Sequence, residues 1–184
     1  MLKKVVTFTS IVGAALAASG VAYYVAGKQK STSAPAQQPT LTGLREWNST
    51  LAREIVRSHR DARDVCIAVL TINGVNKDFD VELYNEIEQN FAKTVRGSDL
   101  LAGNDTGEFF VLFPEAGLDE GYEAVERLQE TLPPTVSLAA GIAVWDHCET
   151  AAELVARTVA SMQGEQKSSR GKIAVSETPQ SVHH

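Results

Sequence analysis

From Leu44 onward, apolar and polar positions along the chain change period several times, and each change predicts an element. Leu44, Trp47, Leu51, Ile55 and Ser58 fall on one face of a helix over Leu44–Arg60. Val65 to Ile72, VCIAVLTI, is a continuous apolar run of strand length, the pattern of a strand covered on both faces. Helical spacing returns over Val81–Val95 with Leu83, Ile87, Phe91 and Val95. Leu100 to Pro114, LLAGNDTGEFFVLFP, then reads as two strands around a turn. Gly103 and Gly107 are assigned to positive φ there, with Asn104 and Asp105 bonding their own backbone. A second amphipathic helix over Leu118–Leu132 turns Tyr122, Val125, Leu128 and Leu132 inward. Thr135–Trp145 is another buried strand. Thr150–Met162 is a helix opened by a Thr150–Glu153 capping box, and Lys172–Val175 is a short last strand.

A hairpin inside an otherwise alternating order predicts an α+β fold: a mostly antiparallel sheet with flanking helices, nearest to the ferredoxin-like split β-α-β. Upstream the pattern is different. Val5 to Gly27 holds no charge over 23 residues, has lysines on both sides and carries Tyr23-Tyr24 near one end. It predicts a transmembrane helix over 5–27 after a tail at 1–4. The small residues between Gly13 and Gly20 suit either packing against another such helix or plain lipid contact. Cleavage after Ala15-Leu16-Ala17 is the competing reading, opposed by the ten apolar residues that continue past it. A flexible Ser/Ala/Pro/Gln linker is expected over 28–40, one domain over 41–176 and a disordered tail over 177–184.

Charge narrows the partners. The first thirty residues carry four lysines and no acid, and the rest carries 13 basic residues against 23 acidic ones, a net charge of −10. So acidic a domain repels phosphate backbones, and no nucleic acid is expected as a partner. Cys66 and Cys148 lie far apart without metal-ligand spacing. Two buried free thiols in a reducing compartment are the expectation, with no metal and no cofactor. No Ser/His/Asp or Cys/His set can be assembled from the four histidines.

Several strings, in order, resemble the GGDEF domains of diguanylate cyclases: Leu41-Thr42-Gly43-Leu44, Arg96 to Ala102 (RGSDLLA), Asp105 to Phe109 (DTGEF) on the signature pentapeptide, Leu112 to Pro114 (LFP), Ala139 to Ala143 (AAGIA) and Ser168 to Ile173 (SSRGKI). The resemblance implies a GGDEF-like fold and also shows departures. Thr71 to Asn76 stand on the family's D-x-D-x-F-K, whose leading aspartate binds magnesium. The guanine-recognition segment is missing before the helix that follows Asp80. Gly107 replaces a metal-binding acid, and Gln166 replaces a phosphate-holding lysine. Glu108 and Arg170 remain. Because joining two GTP molecules rests on metal ions that neutralise and align phosphates, the expectation is a chain that is not an enzyme. Arg96 and Asp99 form the R-x-x-D that the resemblance marks as an inhibitory cyclic di-GMP site. An arginine fork can hold or stack on guanine, and a carboxylate can accept its N–H groups. Alternatively the two residues only end a helix and order a turn.

The expected role is thus that of a catalytically inactive, membrane-anchored GGDEF-like protein, regulatory or protein-interacting, with Arg96 and Asp99 as candidate cyclic di-GMP ligands. The alternative is a structural scaffold subunit without a nucleotide. The expected partners are the lipid bilayer, a membrane or cytoplasmic protein, and cyclic di-GMP. The expected place is the inner membrane, with the domain facing the cytoplasm.

Overall fold

A computed structural model describes residues 41–104, 106–166 and 173–176. The expected anchor, linker and tail, together with Arg170, lie outside these residues. Among the described residues no helix is long and apolar enough to cross a membrane.

The elements are α1 (Leu44–Asp61), β1 (Val65–Asn73), α2 (Val81–Thr94), β2 (Leu100–Gly103), β3 (Glu108–Pro114), α3 (Leu118–Glu130), β4 (Ser137–Val144), α4 (Ala151–Gln166) and β5 (Ile173–Val175). They build one sheet in the order β2-β3-β1-β4-β5. β1 pairs antiparallel with β3 and β4, β2 pairs antiparallel with β3, and β4 pairs parallel with β5. The stretch β1-α2-β2-β3-α3-β4 is the β-α-β-β-α-β unit. The fold is therefore α+β, a ferredoxin-like unit on a mixed sheet.

β1 is the central strand, and this explains its unbroken apolar run. Cys66, Ala68, Leu70 and Ile72 face the layer of α2 and α3, packing with Phe91, Phe109 and Leu128. Val65, Ile67 and Val69 face the layer of α1 and α4, packing with Trp47, Leu51 and Leu154. Period 2 along each strand sorts the side chains between the two layers. α1 ends where Ala62 takes a left-handed conformation (φ 51°). The buried Ser58 hydroxyl donates there to the Arg63 carbonyl, so the expected inward position of Ser58 is correct. The Thr150–Glu153 box also forms. The Thr150 N–H donates to the Glu153 carboxylate at 2.8 Å, and the Glu153 N–H donates back to the Thr150 hydroxyl at 3.3 Å.

Three expectations need correction. Tyr122 is exposed. The inward stripe of α3 runs through Gly121, Ala124, Val125 and Leu128, because a side chain at Gly121 would collide with the Cys66 sulfur. The helix thus sits close to the sheet on its glycine, and Tyr122 is turned to the flank. Cys148 is exposed as well. It lies in the turn that follows β4, where Asp146 Oδ1 accepts the N–H groups of Cys148 and Glu149, both at 2.8 Å. Cys66 is buried as expected, and burial pushes its thiol up to about 12. The third correction is Gly103. It lies in β2 and is absent from the positive-φ positions, whereas Gly107 has φ 86°. Gly103 instead leaves room for Leu41: a Cβ there would stand 2.8 Å from Leu41 Cδ2, and the leucine would have to shift.

Candidate functional site

Two groups of polar residues stand at opposite ends of β2, about 17 Å apart at the rise of a strand.

The first is built by the end of α2. The Val95 N–H closes the helix on the Phe91 carbonyl at 3.1 Å, and the chain turns at Arg96. The Asp99 N–H donates to the Arg96 carbonyl at 3.0 Å. Asp99 Oδ2 accepts the Arg96 backbone N–H at 3.0 Å, and Asp99 Oδ1 accepts the Ser98 hydroxyl at 3.1 Å. Asp99 therefore orders the turn, as the structural alternative expected, and each of its oxygens keeps a second lone pair for a ligand. The structure brings Arg96 and Asp99 together on the rim of one cleft of about 190 Å³, lined also by Thr42, Val95, Gly97 and Leu101. Arg96 is exposed, so its guanidinium can meet a ligand from solvent. Pockets that enclose small molecules hold roughly 300–1,000 Å³. A ligand here would seat one part, such as a planar base, and lie across the surface with the rest.

The second group is the hairpin tip, and its organiser is Asn104, which the sequence pattern marked only as a turn residue. Asn104 Oδ1 accepts the N–H groups of Thr106 and Glu108 at 3.0 and 2.8 Å. Its Nδ2 donates to Glu108 Oε2 at 2.7 Å, and the Thr106 hydroxyl donates to the same oxygen at 3.3 Å. Lys77 reaches over from the loop after β1: its Nζ donates to the Asn104 carbonyl at 2.9 Å and lies 5.2 Å from the Tyr84 ring centre. The Tyr84 hydroxyl is buried without a hydrogen-bond partner. Burial, with the Glu88 charge added, pushes that hydroxyl above its ordinary range. No short-range signal links Lys77 to Asn104, since 27 residues separate them.

Thr71 and Glu108 face each other in the β1–β3 register. A magnesium ion takes oxygen ligands, with carboxylates and substrate phosphates supplying the negative charge. Among the described residues, this corner offers a buried threonine and a carboxylate already accepting from Asn104 and Thr106. The residues present do not fit that ion. Among the described residues, no group of three or more His, Cys, Asp or Glu side chains could hold a metal.

No family model matches the chain. In sequence it is 26% identical over 155 residues to the diguanylate cyclase DgcP of Pseudomonas aeruginosa, covering 73% of this chain and 23% of that protein. The chain thus spans about a quarter of the length of that curated relative. In fold it is similar to the diguanylate cyclase SiaD of Pseudomonas aeruginosa, solved in complex with its activator SiaC. There the TM-score is 0.64 and the identity 22%, over 71% of this chain and 57% of that one. It is similar also to the GGDEF domain of DgcB from Caulobacter crescentus, solved in complex with c-di-GMP. The TM-score is 0.63 and the identity 16%, over 79% of this chain and all of that one. These relatives overturn the expectation of a non-enzyme: the matched proteins bear the name of an enzyme, diguanylate cyclase, and the comparison points toward that class. In sequence the chain is similar to a diguanylate cyclase, and in fold the described residues are similar to GGDEF domains.

Proposed function

We propose that this chain is a regulatory component of cyclic di-GMP signalling that binds the cyclic dinucleotide at the Arg96–Asp99 turn. The observation that carries the reading is the coincidence of that turn with the cleft of about 190 Å³. Asp99 holds the turn in shape, so the Arg96 guanidinium is offered on a preformed loop and not on a flexible one. A guanidinium can stack on guanine or pair bidentately with a phosphate, and it keeps its charge at every relevant pH. Attachment to a membrane through residues 5–27 belongs to the same proposal, supported by their lack of charge and their flanking lysines. A protein partner belongs to it too, since SiaD, which has a similar fold, is solved in complex with its activator SiaC.

One experiment tests the binding and the attachment. The full chain is recovered from carbonate-washed membranes and titrated with cyclic di-GMP by calorimetry. Binding is expected, with Arg96→Ala weakening it at least about tenfold, the loss of one charge-assisted contact. Unchanged affinity in Arg96→Ala would reject the site, and recovery of the chain in the soluble wash would reject the attachment.

A second reading, synthesis of the dinucleotide, is favoured by the sequence match to a diguanylate cyclase and by Glu108 at the hairpin. Its measurement is product formed from GTP by the full chain, with and without an added divalent cation. Turnover is expected to fall at least about tenfold in Glu108→Gln, which keeps the Asn104 contact and removes the charge. Equal rates in both proteins would sink this reading.

A further inference from the structure

One wall of the Arg96 cleft does not belong to the turn. Thr42 lines it from the chain upstream of α1. The Thr42 N–H donates to the Leu101 carbonyl at 2.9 Å, and Thr42 forms a single parallel bridge with Ala102. Leu41 packs against the core and covers Gly103. The Gly43 carbonyl then accepts the first helical bonds of α1, from Glu46 at 2.9 Å and Trp47 at 3.0 Å. Leu41 to Gly43 is therefore a strap laid along the outer edge of β2. It connects everything upstream to the domain and at the same time forms part of the cleft.

We infer that strap docking and ligand binding at this cleft are coupled: a cyclic dinucleotide seated on Arg96 holds Thr42 against β2, and lifting the strap weakens the ligand. This rests on the ligand reading of Arg96 given above. The physical ground is the small number of contacts that hold the strap to β2. Among the described residues, one backbone hydrogen bond and one leucine side chain hold it, which makes an opening of low free energy compared with global unfolding. Opening removes a wall of the cleft, so a ligand that touches Thr42 favours the docked state by its differential affinity. Linkage makes the effect reciprocal, and whatever tension or partner pulls on the chain upstream of Leu41 changes ligand affinity by the same factor. The glycine at 103 fits this arrangement, because a side chain there would displace Leu41.

The test uses the full chain and cyclic di-GMP itself. Hydrogen exchange at the Thr42 amide is followed with and without the dinucleotide, and dissociation constants are measured for the wild type, Leu41→Ala and Thr42→Pro. Leu41→Ala releases the side-chain hold, and Thr42→Pro deletes the N–H that bonds Leu101. The expected result is exchange slowed about fivefold or more by the ligand and affinity weakened about fivefold or more in each variant. Circular dichroism identifies a variant that has not folded, and the other variant then decides. Binding that still requires Arg96, together with unchanged Thr42 exchange and unchanged affinity in the folded variants, overturns the coupling and leaves the ligand site standing. Failure of the wild type to bind overturns both.

Discussion

Arg157→Ala is expected to destabilise the domain by about 3–5 kcal/mol, the range for removing one partner of a buried ion pair. Arg157 lies on α4 with its side chain 13% exposed, against a Glu149 side chain 8% exposed. Its guanidinium donates to both carboxylate oxygens of Glu149 and to the Val144 carbonyl at 2.9 Å. It also donates to the Ser176 carbonyl at 3.1 Å and to the Ser176 hydroxyl at 3.2 Å. One side chain thereby joins α4 to the end of β4, to the loop before α4 and to the residue that follows β5. Alanine would leave the Glu149 carboxylate buried without its counter-charge and three acceptors without donors. Urea unfolding followed by circular dichroism measures the loss. The pair Arg157→Met with Glu149→Gln should recover most of it, because a neutral replacement removes the buried charge that makes the single change costly. A loss below about 1 kcal/mol in Arg157→Ala would show that the pair is solvated in practice.

Gly141→Ala is the second large effect, for a steric reason. Gly141 lies in the middle of β4, between Ala140 and Ile142, which are both fully buried. A Cβ at this position would meet the Thr158 carbonyl oxygen and stand 2.6 Å from the Met162 backbone nitrogen and 3.1 Å from Met162 Cβ. Backbone cannot rotate aside as a side chain can, so α4 must lift from the sheet. Leu154, Thr158 and Met162, all buried, would then lose their packing. Overpacking in a filled core costs about 1–3 kcal/mol and sometimes more. The upper end is expected here, about 3 kcal/mol, or a fall in thermal midpoint of about 10 °C. Gly164→Ala supplies the control. It lies on the same helix, nothing stands within 4 Å of its added Cβ, and it should be neutral or slightly stabilising. Equal midpoints for the wild type and Gly141→Ala would mean that α4 does not rest on β4 as described.

The contrast between these residues and the hairpin shows how much of the site the chain itself announces. The R-x-x-D turn is local: Asp99 bonds a backbone group three positions away and a hydroxyl one position away. A short string can therefore encode its geometry. The Thr150–Glu153 box is legible for the same reason. Asn104 is half legible, since its bonds to Thr106 and Glu108 are local while the Lys77 contact is not. The wall that Thr42 contributes to the cleft is silent in the sequence, because the bridge to Ala102 spans sixty residues and depends on which strand lies at the sheet edge.

By itself the sequence determined the kind and order of the elements. Hydrophobic period follows from which face of an element leaves water, and a central strand such as β1 must be apolar on both faces. It also determined the tight local devices, where donor and acceptor are a few residues apart. The tertiary structure alone decided that Gly103 makes room for Leu41, that Gly121 and not Tyr122 meets the sheet, that Cys148 faces solvent, and that Arg157 joins elements up to nineteen residues away. Each of these depends on how closely two distant segments approach, and that distance is set by the sheet order and helix seating, which no periodicity within one segment contains.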